Sequence, residues 1–389
     1  PPMKRYFLIL ILPFCVSCLW DRDTLAEEGE GEMGAIKILV GWFDRYPPEY
    51  YETRLTRVLG ELQEKPDNLS LYDDAAVALD RLHRSSEAIA TMARKDAKMN
   101  ELRENEPAND LSEHQYRYLA NLGTFHVHDW IGREKAFRNA DLSSLKKGEE
   151  LIEAAIALNP DAHFGREKYQ LMAIQWLQKK EDYPDAGVLT GPMGESVRSL
   201  SMESNQEAQE GFLGMIKLGA AWESIDFFNT LAELYSAERS GSLSHLAGLR
   251  MEELRKQGRT SLHPHADALY YRIYGSPETN LRNDLEEWYH STRRKADERQ
   301  ESRWAYLRNR LADGRHPDTD PDFWNDWKEP EFPTLPGARF KDYFSFAHHP
   351  LFYVGLLISL FILLWLISLK RRRRLARLET AGPGHSTVS

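Results

Sequence analysis

The sequence predicts an all-α fold, a solenoid of helical hairpins, followed by one C-terminal transmembrane helix. Apolar residues recur every three or four positions through the long central region, which is the period of an amphipathic helix. Proline and glycine are sparse up to about residue 180, and alternating strand patterns are hard to find. Near the C terminus, one long apolar run extends from Leu351 to Leu369.

The composition indicates a folded, acidic chain. Of its 389 residues, 42% are hydrophobic and 28% are charged, and the formal net charge is -10. An acidic chain binds nucleic-acid phosphates poorly, so nucleic acid is not an expected partner. The two cysteines, Cys15 and Cys18, both lie close to the N terminus. The rest of the chain therefore offers no disulfide, no thiolate metal ligand and no cysteine nucleophile.

Residues 1–18 are typical of a secretory signal peptide. Lys4-Arg5 form a basic start, and the apolar stretch from Tyr6 to Phe14 is too short to span a bilayer. The ending Val-Ser-Cys resembles a bacterial lipobox, which implies lipidation of Cys18, although Cys15 stands where leucine is usual. An ordinary cleaved signal peptide or an uncleaved anchor is the alternative.

Residues 350–369 are predicted to form the transmembrane helix. At about 1.5 Å per residue, the apolar run covers the ~30 Å hydrocarbon core of a bilayer. Lys370 and the arginines Arg371 to Arg374 follow directly, and the positive-inside rule places the tail 370–389 in the cytoplasm. The region between the signal and this span is therefore expected outside the cytoplasm, most simply in the periplasm of a bacterium and tethered to its inner membrane.

The central region contains a recurring pattern of large, small and large residues at helical spacing. Two closely crossing helices need a small residue at the contact and bulky residues around it. On the first helix of a predicted pair, the pattern is carried by Tyr72-Ala75-Ala76-Leu79, Leu119-Leu122-Gly123-His126, Tyr169-Met172-Ala173-Trp176 and Phe228-Leu231-Ala232-Tyr235. On the second helix, the matching residues are Ala88 and Met92 in one pair and Gly148, Ile152 and Ala155 in another.

This pattern resembles the tetratricopeptide repeat family, whose units stack into a solenoid. The matches are spaced more widely than the family's period of about 34 residues, which implies insertions in several turns. The resemblance implies a helical domain over residues 19–265 that binds a peptide or helix in a groove lined by first helices. The groove positions that it implies are Asp73, Val77, Asp80, Ala120, Thr124, Val127, Gln170, Ile174 and Leu177, and the two aspartates would suit a basic peptide.

Three further segments are predicted around this domain. Residues 184–211 are rich in glycine, proline and serine and are expected to form a loop or a boundary. Residues 266–312 are expected to hold a long charged helix that caps the solenoid, with pairing to a second chain as the alternative. Residues 313–347 are rich in proline, aspartate and tryptophan and are predicted to be an extended spacer before the membrane.

Two groups of residues suggest metal ligands. Asp318, Asp320, Asp322 and Glu329 match oxygen-ligand positions of a calcium loop, but Phe323 and the prolines depart from that pattern, so a solvated acidic spacer is the alternative. The histidine clusters are His126 with His128, and His263 with His265 and Asp267. Packing or surface histidines are the plainer interpretation of both clusters.

The predicted function is that of a membrane-tethered scaffold for protein interactions. The sequence contains none of the HExxH, GxSxG, Walker or GxGxxG motifs, so it does not indicate an enzyme. A metal-dependent enzyme or metal-binding protein that uses the histidine clusters is one alternative. A structural tether, in which the long helix and the spacer set a distance from the membrane, is another.

Overall fold

The structure is a computed structural model that describes residues 31–108, 110–160, 162, 166–178, 202–219, 221–237, 240–262 and 279–336. These residues form twelve α-helices and a short 3-10 helix and contain no β-strand, so the predicted all-α class is confirmed for them. The helices are α1 (Gly31–Leu39), α2 (Pro48–Glu64), α3 (Leu69–Arg81), α4 (Ser85–Asn105), α5 (Ser112–Gly132), α6 (Lys135–Ala140), α7 (Ser143–Leu158), α8 (Arg166–Gln178), α9 (Met202–Leu218), α10 (Ile225–Ala237), α11 (Gly241–Lys256) and α12 (Thr279–Ala312).

Local sequence signals set several of the helix ends. Helix α2 begins with Pro48, whose missing N–H is not needed in the first turn. The Asn68 side chain accepts a hydrogen bond from the Ser70 N–H at 3.2 Å and so caps α3. At the other end of α3, His83 adopts the left-handed conformation with φ 59°, and the Arg84 N–H donates to the Leu79 carbonyl at 2.9 Å. This is a Schellman ending in which a histidine stands where glycine is usual.

Most helices pack against the next helix in the chain. The contacts join α2 to α3, α3 to α4, α4 to α5, α7 to α8, α8 to α9, α9 to α10 and α10 to α11, and α5 packs on α7 across the short α6. Helix α3 also contacts α5. We therefore describe α3–α4, α5–α7, α8–α9 and α10–α11 as four consecutive helix pairs.

The residues that match the repeat pattern lie in the interior of these pairs. Those on the first helices that are buried are Tyr72, Ala75, Ala76, Leu79, Leu122, Gly123, Tyr169, Ala173, Trp176, Phe228, Leu231, Ala232 and Tyr235, while Leu119, His126 and Met172 are half-buried. Those on the second helices, Ala88, Met92, Gly148, Ile152 and Ala155, are buried as well. Apolar burial of this kind is the main favourable contribution to folding.

Glycines allow the closest helix crossings. A Cβ on Gly123 of α5 would lie 2.9 Å from Ile152 and 3.2 Å from the Gly148 carbonyl oxygen of α7. A Cβ on Gly211 of α9 would lie 2.3 Å from the ring of Tyr169 on α8. Neither crossing has room for a larger residue without moving the helices apart.

Helix α12 connects distant parts of the fold. It packs on α11 and on α2, and α1 packs on α9 and α11. The segment between α1 and α2 lies against α12, where the Gln300 amide donates to the Arg45 carbonyl at 2.9 Å and accepts from the Arg45 N–H at 3.2 Å. Gly41 in this segment has φ 77°, and a Cβ there would lie 2.8 Å from both Trp222 and Arg293. Glycine is needed at this position for its backbone conformation and for the close approach.

Residues 313–331, which the sequence assigns to an extended spacer, fold against α2 and α12. Phe323 is 1% exposed and packs with Tyr306 of α12 and Tyr50 of α2. The Tyr306 hydroxyl donates to the Phe323 carbonyl at 2.7 Å. The chain divides into two compact units at Glu331 and Phe332, so this segment belongs to the helical unit.

Several predicted features lie outside the described residues. They are the signal peptide with Cys18, most of the loop 184–211, residues 266–278 of the cap, the end of the spacer and the span 350–369. Helix α9 begins at Met202, inside the predicted loop. None of the described helices combines the length and the apolar character that a membrane crossing requires.

Candidate functional site: the face formed by helices α3, α5 and α8

The first helices of three consecutive pairs are joined side by side by polar contacts. Between α3 and α5, the Asn121 amide donates to Asp73 at 3.1 Å, and His128 Nδ1 lies 2.7 Å from Asp80 Oδ2. Between α5 and α8, the Gln170 amide donates to the Thr124 hydroxyl at 3.0 Å. These helices share one surface, which we call the first-helix face, and its half-buried members are Val77, Ala120, Thr124 and Gln170.

Asp73 is held in a buried ion pair behind this face. Lys95 of α4 donates to Asp73 Oδ2 at 2.6 Å and to the His114 carbonyl at 3.2 Å, and the Lys95 side chain is 0% exposed. Burial raises the pKa of Asp73 above its ordinary value, even though Lys95 and Asn121 lower it. Burial also lowers the pKa of Lys95, although Asp73 raises it. Both directions show that desolvation outweighs the attraction within the pair.

Asp80 is held in a similar way at the other end of α3. The Ser85 hydroxyl donates to Asp80 Oδ1 at 2.8 Å, and the His128 imidazole contacts the other carboxylate oxygen. Burial by itself raises the pKa of Asp80, but His128 and Ser85 together lower it by more than burial raises it. The net pKa of Asp80 therefore lies below its ordinary value. The carboxylate is therefore ionised and already satisfied by protein groups.

The nine predicted groove residues differ in how accessible they are. Asp73, Asp80, Val127, Ile174 and Leu177 are buried, whereas Val77, Ala120, Thr124 and Gln170 are half-buried. The first-helix face therefore offers small apolar side chains, a hydroxyl and an amide. Ligand binding by these residues stays a prediction. Asn121 and Lys95 were not predicted, because no sequence spacing links them to Asp73.

The histidine cluster on α5 divides between two surroundings. His128 contacts Asp80 through Nδ1, whereas His126 Nδ1 is buried and has no hydrogen-bond partner. Burial lowers the pKa of His126. His263, His265 and Asp267 lie outside the described residues. In the part of the chain that the structure describes, no three histidine, cysteine or carboxylate side chains are grouped to hold a metal ion.

The four residues of the predicted calcium loop have separate protein partners. Asp318 accepts from the Tyr50 hydroxyl at 2.7 Å and from Arg57 at 2.8 Å. The partners of Asp320, Asp322 and Glu329 are Arg315, Asn325 and Arg299, respectively. Arg54 also lies 3.4 Å from Asp318, so a calcium ion that used these ligands would have to displace contacts to four arginines. Calcium binding stays a prediction.

Comparison with known protein families, with curated proteins and with solved structures finds no match for this chain. The assignment of function therefore depends on the geometry of the chain itself.

Proposed function

We propose that this protein is a scaffold of stacked helical hairpins, similar to tetratricopeptide repeats, and that its first-helix face binds a segment of a partner protein. The observation that supports the proposal is the alignment of α3, α5 and α8 through the Asp73–Asn121, Asp80–His128 and Thr124–Gln170 contacts. A surface made from successive first helices is the kind of surface on which helical repeats bind peptides.

The chemistry of the face favours a neutral segment over a basic one. Asp73 and Asp80 are buried and already contact Lys95 and His128, so they offer little attraction to an incoming cation. Val77 and Ala120 supply apolar contacts. Thr124 and Gln170 supply a hydroxyl and an amide that can exchange their mutual hydrogen bond for bonds to a peptide backbone. We propose an extended or helical neutral segment as the ligand.

We also propose that the scaffold lies outside the cytoplasm and is tethered to the bacterial inner membrane. This part of the proposal is supported by sequence: the signal-like residues 1–18, the lipobox-like cysteine and the apolar run at 350–369 followed by arginines. The tether would keep the first-helix face close to partners at the membrane.

Site-specific photocrosslinking tests the proposed ligand face. p-Benzoylphenylalanine is placed at position 120 or, as the matched control, at position 97 of the full-length protein in cells that produce it. Ala120 is half-buried on the first-helix face, whereas Ala97 is exposed on α4.

The proposal predicts a discrete crosslinked partner at position 120 and none at position 97. Adding Thr124→Arg should abolish the crosslink, because the larger side chain fills the face. No crosslink at position 120, or the same crosslinks at both positions, would contradict the proposal. Circular dichroism of each purified variant confirms that it is folded.

A further inference from the structure

Hydrogen bonds from helix α12 to the backbone of Arg45 fix where this residue lies. The Arg45 carbonyl accepts hydrogen bonds from Gln300 at 2.9 Å and from the Trp304 indole at 2.5 Å, and the Arg45 N–H donates to Gln300 at 3.2 Å. The guanidinium carbon lies 4.9 Å from the ring centroid of Trp222 and 5.1 Å from that of Phe43. The position of this cation is therefore set by the fold.

The guanidinium group of Arg45 forms no ion pair with any residue that the structure describes. Its Nη1 atom is buried and makes no hydrogen bond, and no carboxylate among the described residues lies within ion-pair distance of the group. Asp297 and Glu223 act electrostatically on it and raise its pKa, but each forms an ion pair with another arginine, Arg293 and Arg259, respectively. The residue as a whole is half-buried, so it keeps some exposed surface.

Two more arginines surround the same indole. The guanidinium carbons of Arg250 and Arg293 lie 3.8 Å and 5.3 Å from the Trp222 ring centroid. Both contact Glu253, at 3.0 Å and 3.3 Å, so their charges are compensated while that of Arg45 is not. Burial lowers the pKa of Arg45 to about 10. The neighbouring Arg293 and Arg250 also lower this pKa, whereas Asp297 and Glu223 raise it.

We infer that Arg45, together with the neighbouring Arg250 and Arg293, forms a binding site for an oxyanion, either a carboxylate or a tetrahedral phosphate or sulfate group. A buried cation without a partner is unfavourable, and a guanidinium fork matches both kinds of oxyanion. The site lies on α11, α12 and the segment before α2, it uses none of the residues of the first-helix face, and it does not depend on the proposed scaffold function.

Thermal unfolding in different salts tests the site. Full-length protein in detergent is titrated with sodium phosphate, sodium sulfate or sodium acetate, with sodium chloride making up a constant ionic strength. The three proteins compared are the wild type, Arg45→Gln and the control Arg308→Gln. Arg308 is an exposed arginine near Trp304 that contacts Glu49 at 2.9 Å.

The expected result is a saturable rise in Tm for the wild type and for Arg308→Gln with at least one oxyanion. For Arg45→Gln, the apparent Kd should be at least about tenfold weaker. A response to phosphate and sulfate but not acetate assigns the tetrahedral class, and the reverse assigns the carboxylate class. General salt effects shift all three proteins equally.

An equal response of the wild type and Arg45→Gln would overturn the inference, as would the lack of any response in the wild type. Isothermal titration calorimetry of the wild type with the same three salts gives an answer even if Arg45→Gln does not fold. In that case, heat of binding in the wild type supports the site only when Arg45→Lys, which keeps the charge but loses the fork, binds more weakly. No heat of binding contradicts it.

Discussion

Replacing Lys95 by methionine leaves the buried Asp73 carboxylate without its cation. The Lys95 side chain is 0% exposed, and its ammonium lies 2.6 Å from Asp73 Oδ2. Methionine fills most of the aliphatic volume, so the main loss is electrostatic. Removing one partner of a buried ion pair costs about 3–5 kcal/mol. This is a large part of the about 5–15 kcal/mol that stabilises a typical domain.

The variant should also change how stability depends on pH. Because the pKa of Asp73 is raised in the folded state, the native protein keeps this proton to a higher pH than the unfolded chain does. Stability from this group is therefore lost as the pH rises from the unfolded pKa of about 4 through the folded pKa. Without Lys95 the folded pKa rises further, so Lys95→Met should lose stability over a wider range of rising pH than the wild type.

Urea unfolding followed by circular dichroism between about pH 4 and pH 8 measures both effects. The double variant Asp73→Asn/Lys95→Met removes both charges, and it should recover most of the lost stability and the shallower pH dependence. A loss below about 1 kcal/mol for Lys95→Met at pH 7, or pH profiles parallel to those of the wild type, would refute the reasoning, because a surface ion pair behaves in that way.

Three further substitutions test the backbone and the packed C-terminal segment. His83→Gly removes a left-handed non-glycine residue and should raise stability by up to about 1 kcal/mol, seen as a higher Tm. Gly41→Ala combines a positive φ with a Cβ 2.8 Å from Trp222. It should lower the free energy of unfolding by at least about 1 kcal/mol, seen as a lower urea midpoint. Phe323→Ala should cost about 3–5 kcal/mol of packing. Limited proteolysis should then cut residues 313–331, which we expect to resist cleavage in the wild type. Unchanged stability of Gly41→Ala, or a protease-resistant Phe323→Ala, would contradict the packing described here.

The fold class and the small residues at helix crossings were accessible from sequence. The apolar period predicts helices because it repeats over consecutive residues, and the secondary-structure elements among the described residues are all helices. The resemblance to the repeat pattern selected Ala76, Gly123 and Gly148, which are buried in the helix pairs. Gly211 was not selected, although the Tyr169 ring packs directly on it. It lies in a stretch whose glycines and serines predicted a loop.

The candidate site could be predicted from the sequence only in part. Repeat geometry placed Thr124 and Gln170 on one face, and the structure joins them by a hydrogen bond. It did not show that Asp73 and Asp80 are buried with Lys95 and His128, since the choice of ion-pair partner depends on how separate helices approach each other.

The sequence by itself determined the helical character of the described residues and the small residues that let helices cross closely, and it predicts the membrane segments. All of these are properties of consecutive residues. Only the tertiary structure decided that residues 40–45 and 313–331 pack on the same long helix and that Arg45 lies uncompensated beside Trp222. The contacts that hold Arg45 in place join residues more than 250 positions apart. No local period records such a contact, because it depends on how all the intervening helices stack.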